Sequence, residues 1–124
     1  MAKILIVEDD TFISRMYEAK LNNLGYQTKI AENGQDGLQI IKEWLPDLVL
    51  LDLILPILDG FEVLKELKAD NNFKNIPIII LSNLDQKENI EKGIALGASD
   101  YIIKAQFTPS EVVEKIEKCL KSRS

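Results

Sequence analysis

Five short apolar runs alternate with five stretches of helical periodicity along 124 residues, and that alternation leaves few folds open. The runs are predicted as strands over residues 3–7, 27–31, 47–51, 76–81 and 100–103. Ile4-Leu5-Ile6-Val7 and Leu48-Val49-Leu50-Leu51 are apolar at every position, not at every second one. A strand of that kind needs cover on both faces. Strands that alternate with helices build a parallel sheet, because a parallel crossover requires a connection long enough for a helix. Residues 1–124 are therefore expected to form one α/β domain, a doubly wound parallel sheet of five strands with helices on both sides.

The helices have legible ends. Ile13, Met16, Tyr17, Leu21 and Leu24 recur at helical spacing, and Gly25 stands where a C-terminal cap belongs. Asn33-Gly34 marks a turn, after which Leu38, Ile41 and Leu45 form a stripe stopped by Pro46. Gly60 to Ala69 reads as a third helix with Phe61, Leu64 and Leu67 inward; Ile90 and Ile94 belong to a fourth that ends near Gly97. Thr108-Pro109-Ser110-Glu111 matches a capping box with proline at the first helical position. Val112, Val113, Ile116, Cys119 and Leu120 then form the last buried stripe, with Cys119 as core filler.

In open parallel sheets, sites form beyond the carboxyl ends of the strands, near the switch in strand order. Here those ends carry Glu8-Asp9-Asp10, Asp52, Ser82-Asn83 and Lys104. Carboxylates about 4 Å apart repel by roughly 4 kcal/mol at an effective dielectric of 20, so such a cluster calls for a cation. Magnesium fits, since it takes one or two carboxylates and keeps several waters. Lys104 is a fixed positive charge for Asp52 or for a phosphoryl group on it, and Ser82 offers a hydroxyl donor. Phosphoryl transfer needs neutralised charge and in-line positioning more than a strong base. Asp10 is read as a helix N-cap and not as a metal ligand.

Composition narrows the alternatives. There is no histidine, which excludes a Ser-His-Asp triad, a histidine base or ligand, and a phosphohistidine carrier in this chain. A net charge of −5 supplies no basic footprint for nucleic acid or anionic membrane. The apolar runs are too short to span a bilayer and no signal-peptide pattern precedes the first strand, so the expected location is the cytoplasm.

Several segments agree in order and spacing with one family. They are Ile4-Leu5-Ile6-Val7-Glu8-Asp9, Leu24-Gly25-Tyr26, Asn33-Gly34, and Asp52 followed by Leu55-Pro56-Ile57-Leu58-Asp59-Gly60. Leu81-Ser82, Gly97-Ala98 and Asp100-Tyr101-Ile102-Ile103-Lys104 complete the set. Through them the whole chain resembles a two-component response-regulator receiver domain of the CheY-like superfamily. The resemblance implies a flavodoxin-like (βα)5 fold with strand order 2-1-3-4-5 and a phosphorylation-dependent signalling switch. Asp52 would be the phosphoacceptor, served by a histidine kinase or histidine phosphotransfer protein. Asp9, Asp52 and the backbone carbonyl of Ile54 would ligate Mg2+, with Mn2+ as a substitute, and Glu8 would act mainly through water. Ser82 and Lys104 would hold the phosphoryl oxygens. Ser82 and Tyr101 would be the switch pair, reporting to a surface of helix 4, strand 5 and helix 5 that meets a target protein or a second copy. The only chemistry implied is self-phosphorylation and autodephosphorylation.

The chain departs from that pattern after the lysine, where Ala105 replaces the family's usual proline. A cis bond before a non-proline residue costs about 2.5–4 kcal/mol, so a trans Lys104–Ala105 bond is expected. Ile54 and Leu84 are aliphatic at positions where polar residues help to orient water. Three other functions fit the residues less well. A haloacid-dehalogenase-type phosphatase requires an acid at position 54, where Ile54 stands; a flavin binder would find its phosphate repelled by Glu8-Asp9-Asp10. A pseudo-receiver, binding partners without phosphorylation, sits poorly with an intact set of Glu8, Asp9, Asp52, Ser82 and Lys104.

Overall fold

The apolar runs become strands close to where they are predicted. The structure is a computed structural model that describes residues 2–122. Its elements are β1 (Lys3–Val7), α1 (Thr11–Asn23), β2 (Gln27–Ala31), α2 (Gly34–Trp44), β3 (Leu48–Leu51) and α3 (Gly60–Ala69). Then follow β4 (Ile78–Ser82), α4 (Lys87–Ala95), β5 (Asp100–Ile103), a 3-10 turn (Lys104–Gln106) and α5 (Pro109–Lys121). All strand pairs are parallel and the order is β2-β1-β3-β4-β5.

The unbroken apolar runs are explained by two cores, one on each face of the sheet. Period-two alternation sends Ile4, Ile6, Leu48, Leu50, Ile79 and Leu81 to one face, against Tyr17 and Leu21 of α1 and Val112, Val113 and Ile116 of α5. Leu5, Val7, Val49, Leu51, Ile78 and Ile80 go to the other, against Leu38 and Ile41 of α2 and Val63, Leu64 and Leu67 of α3. Asp10 caps α1 by accepting from the Phe12 and Ile13 N–H groups at 2.9 and 3.2 Å. The predicted capping box at Thr108 and Glu111 is present.

Several readings shift at the helix ends and in the strands. Leu24 and Leu45 are cap residues, each 53% exposed, not members of the buried stripes. Leu45 closes α2 in a left-handed conformation (φ 52°), which turns its side chain away from the stripe ahead of Pro46. Phe61 is only partly buried; Val63, two residues on, takes the core position. Ile94 is 47% exposed, and the buried residue of α4 is Gly93. Cys119 is half-buried at the edge of the α1–α5 core. β4 begins and ends later than predicted, so Ser82 is the strand's last residue and is fully buried.

Gly60 fixes how α3 meets the sheet. Its N–H donates to the Leu53 carbonyl at 2.9 Å, and a Cβ there would lie 2.2 Å from the Asp52 carbonyl oxygen. Backbone cannot yield as a side-chain tip can, so Gly60→Ala is expected to lose about 2 kcal/mol or more. At Gly37 an added Cβ meets only Val7 methyls at 3.2 Å, and the helix-propensity gain of alanine, about 1 kcal/mol, offsets that crowding. Urea midpoints should fall clearly for Gly60→Ala and stay near wild type for Gly37→Ala; equal midpoints would refute the close-approach assignment.

Candidate functional site

The strand order reverses at β1, which pairs with β2 on one side and β3 on the other. Val7 is in register with Leu51, so Glu8 and Asp52 leave the sheet side by side. The backbone holds both: Glu8 N–H donates to the Ala31 carbonyl at 2.9 Å and Asp52 N–H to the Val7 carbonyl at 3.0 Å. Oxygens of Glu8, Asp9 and Asp52 lie within 4.8 Å of one another, Glu8 and Asp52 buried and Asp9 exposed. At that separation each charged pair repels by about 3–4 kcal/mol at an effective dielectric of 20.

One cation answers part of this repulsion. Lys104, in the turn after β5, places Nζ 2.6 Å from Glu8 Oε1 and 3.0 Å from Asp52 Oδ2. The remaining carboxylate oxygens meet backbone donors. Asp52 Oδ1 accepts from Leu53 N–H at 2.7 Å and Ile54 N–H at 3.4 Å, and Glu8 Oε2 from Asp10 N–H at 3.1 Å. Burial pushes the Glu8 carboxyl up to about 7; its bonds to Lys104 and the Asp10 N–H oppose that rise, and the Asp52 charge adds to it. Burial also works against the Lys104 ammonium, but its bonds to Glu8 and Asp52 prevail and hold its pKa above the ordinary lysine value. There is no cis peptide bond among the described residues, and Lys104 reaches Asp52 through a trans-linked 3-10 turn.

Ser82 sits at the end of β4, where its hydroxyl oxygen accepts from Leu84 N–H at 3.3 Å. Tyr101 on β5 donates its hydroxyl to the Leu84 carbonyl. Burial raises the Tyr101 phenol pKa, as does the Asp52 charge, while the Ser82 hydroxyl works the other way. The two aliphatic residues part company: Ile54 is 59% exposed in the loop after β3, whereas Leu84 packs against the α2–α3 core. The structure thus brings Glu8, Asp9, Asp52 and Lys104 together and sets Ser82 and Tyr101 around a shared turn.

Comparison with known proteins identifies this arrangement. A model of the response regulator receiver domain matches residues 4–117. The chain belongs to that family. This receiver is 39% identical to a probable transcriptional regulator ycf27 of Porphyridium aerugineum, across 96% of its own length and 48% of the relative's. It is also 39% identical to the phosphate regulon transcriptional regulatory protein PhoB of Pseudomonas aeruginosa, across 95% of its own length and 51% of that protein's. It therefore spans about half the length of these curated relatives. Among solved structures, the receiver domain of Francisella response regulator 1452 superposes with a TM-score of 0.92 at 32% identity, covering 100% of both chains. The receiver domain of the sensor histidine kinase PA1611 of Pseudomonas aeruginosa, solved with magnesium coordinated in its active-site cleft, gives 0.86 at 28% identity, covering 97% of this chain and 98% of that one.

Receiver domains of response regulators are phosphorylation-dependent signalling switches that interact with histidine kinases and downstream effectors. In this receiver the all-oxygen cluster is compatible with magnesium, a hard cation that takes carboxylate ligands. No helix among the described residues is long and apolar enough to cross a membrane. Two contributors to the site escaped sequence reasoning, the Leu53 and Ile54 N–H groups on Asp52, because any residue type can supply a backbone donor. Gly60 was legible as part of a motif, but its role beneath the Asp52 peptide was not.

Lys104 should decide the stability of the metal-free site. Removing one partner of a buried ion pair typically costs about 3–5 kcal/mol, and Lys104→Met leaves two carboxylates uncompensated. The folded pKa of Glu8, about 7, lies above its ordinary 4.5. Its proton therefore contributes stability that is complete below pH 4.5 and lost as pH rises through about 7. In EDTA, the urea midpoint of Lys104→Met should drop more at pH 8 than at pH 5. The same drop at both would mean that Lys104 does not offset carboxylate charge.

Proposed function

We propose that residues 1–124 act as a single receiver unit in which Asp52 accepts a phosphoryl group. The donor is a histidine kinase or a histidine phosphotransfer protein. The observation that carries this reading is the placement of Asp52: buried, at the sheet's switch point, with Lys104 at 3.0 Å and two further carboxylates within 4.8 Å. Asp9 and Asp52, with the Ile54 carbonyl, would ligate Mg2+, or Mn2+ in its place, and Glu8 would act through water. When bound, the ion would supply positive charge to offset the carboxylates and the phosphoryl oxygens. The backbone donors on Oδ1 orient the Asp52 carboxylate, which attacks phosphorus as the bond to the donor nitrogen breaks. Lys104 and Ser82 then hold phosphoryl oxygens, so catalysis here is positioning and charge stabilisation.

Ser82 and Tyr101 act as the switch pair, because both hydroxyls bond the backbone of Leu84 in the β4–α4 turn. Through them the α4–β5–α5 surface responds to the state of Asp52 and meets a target protein or a second copy. The chain turns over no other substrate, binds no nucleic acid or membrane itself, and works in the cytoplasm beside its phosphodonor.

Two outcomes follow. Acetyl phosphate with Mg2+ should add one phosphoryl group, read as intact mass, and Asp52→Asn should abolish it. Mg2+ should also raise the melting temperature by linkage, and Asp9→Asn should remove that rise. Wild-type labelling of Asp52→Asn would end the assignment. The second outcome concerns lifetime. The exposed aliphatic Ile54 gives no hydrogen bond to an attacking water, so the phosphorylated form should persist for minutes to hours. Ile54→Asn should speed its decay by about tenfold, ~1.4 kcal/mol of barrier, and Leu84→Glu should add little. Decay of the phosphorylated mass after donor removal measures both; a larger effect at Leu84 would contradict the packing seen there.

A further inference from the structure

α4 is held to the sheet by an unusual residue. Among the described residues, the only buried one in this helix is Gly93. An added Cβ at Gly93 would lie 2.7 Å from Ile80 Cδ1, and 3.2 and 3.5 Å from Tyr101 Cδ2 and Cε2. Ile80 and Tyr101 are register partners on β4 and β5, so the helix backbone rests on one cross-strand pair. The same tyrosine donates its hydroxyl to the Leu84 carbonyl, in the turn that leads into α4. At its far end the helix closes on itself, since Ala98 N–H donates to the Gly93 carbonyl at 3.1 Å.

We propose that Gly93 is a positioning residue for Tyr101: its lack of a side chain lets α4 close on the tyrosine ring so that the hydroxyl reaches Leu84. The direction of the effect follows from which neighbour can yield. Ile80 is fully enclosed by the core and has nowhere to go, whereas Tyr101 is only partly buried. A methyl at position 93 therefore displaces the ring outward and breaks the bond to the Leu84 carbonyl. This rests on the reading of Ser82 and Tyr101 as the switch pair for its consequence. If phosphorylation at Asp52 favours the inward ring, disfavouring that ring position must by linkage disfavour phosphorylation. A merely structural role would lower the urea midpoint and leave both the Tyr101 ring position and the rate of labelling unchanged.

The test uses the full chain labelled with 3-fluorotyrosine, with the resonances of Tyr17, Tyr26 and Tyr101 assigned by single phenylalanine substitutions. Gly93→Ala should shift the Tyr101 resonance, leave the other two in place, and slow labelling by acetyl phosphate and Mg2+ several-fold. In a Tyr101→Ala background, adding Gly93→Ala should cause no further slowing. If Gly93→Ala alone does not fold, pairing it with Ile80→Val removes the closer contact and leaves the tyrosine contact, so the Tyr101 shift must persist. An unmoved Tyr101 resonance, or equal slowing in the Tyr101→Ala background, overturns the proposal. A shifted Tyr101 resonance in a protein that acetyl phosphate does not label supports the positioning role and refutes the phosphoacceptor reading instead.

Discussion

The Lys104 ammonium, placed between Glu8 and Asp52, is the contact on which the site depends. Two parallel strands that end side by side in acid would repel at their tips. The fold tolerates this because β5, two strands away from β3, delivers a cation across the top of β4. Neutralisation is incomplete, since the lysine pairs with two of the three clustered carboxylates. The balance left over is a standing attraction for a divalent cation and, with that cation bound, for the oxygens of a phosphoryl group. Burial is the main reason that the Glu8 pKa is raised, and the nearby Asp52 charge adds to it.

The contrast between the two ends of the sheet's cover explains where a signal can go. α1, α2, α3 and α5 each bury several residues, large apolar side chains among them, in one of the two cores. α4 buries a glycine; of its isoleucines, Ile90 is partly buried and Ile94 is 47% exposed. Elements with few buried apolar contacts are the ones that move at low free-energy cost. α4 also follows the turn in which the Ser82 hydroxyl accepts from the Leu84 N–H and the Tyr101 hydroxyl donates to the Leu84 carbonyl. The least anchored helix thus lies next to Ser82 and Tyr101, the pair we propose as the switch.

Much of this was legible before any coordinates. Apolar runs without alternation demand cover on both faces, and Thr108-Pro109-Ser110-Glu111 states its own capping geometry. The acids after β1 and β3 and the lysine after β5 could be nominated because only a few segments occupy the carboxyl edge of such a sheet. Leu24, Leu45 and Ile94 misled for one reason: helical spacing continues through a cap residue or onto an uncovered face, and periodicity does not say where cover stops. Ser82 was placed one residue outside its strand, since an apolar run does not mark the last ladder bond.

The sequence by itself determined the class of fold, the identity of the charged groups and the chemistry those groups permit. Local patterning carries that information because burial, capping and charge are properties of residue types. Only the tertiary structure decided that Lys104 bridges Glu8 and Asp52, that Leu53 and Ile54 N–H groups hold Asp52, and that Ile54 and Leu84 face different surroundings. Those outcomes depend on distances between residues far apart in the chain and on backbone groups common to every residue. Gly93 shows the limit most plainly. A glycine in a helix reads as a defect until the ring and the methyl that occupy its missing side chain's space are seen.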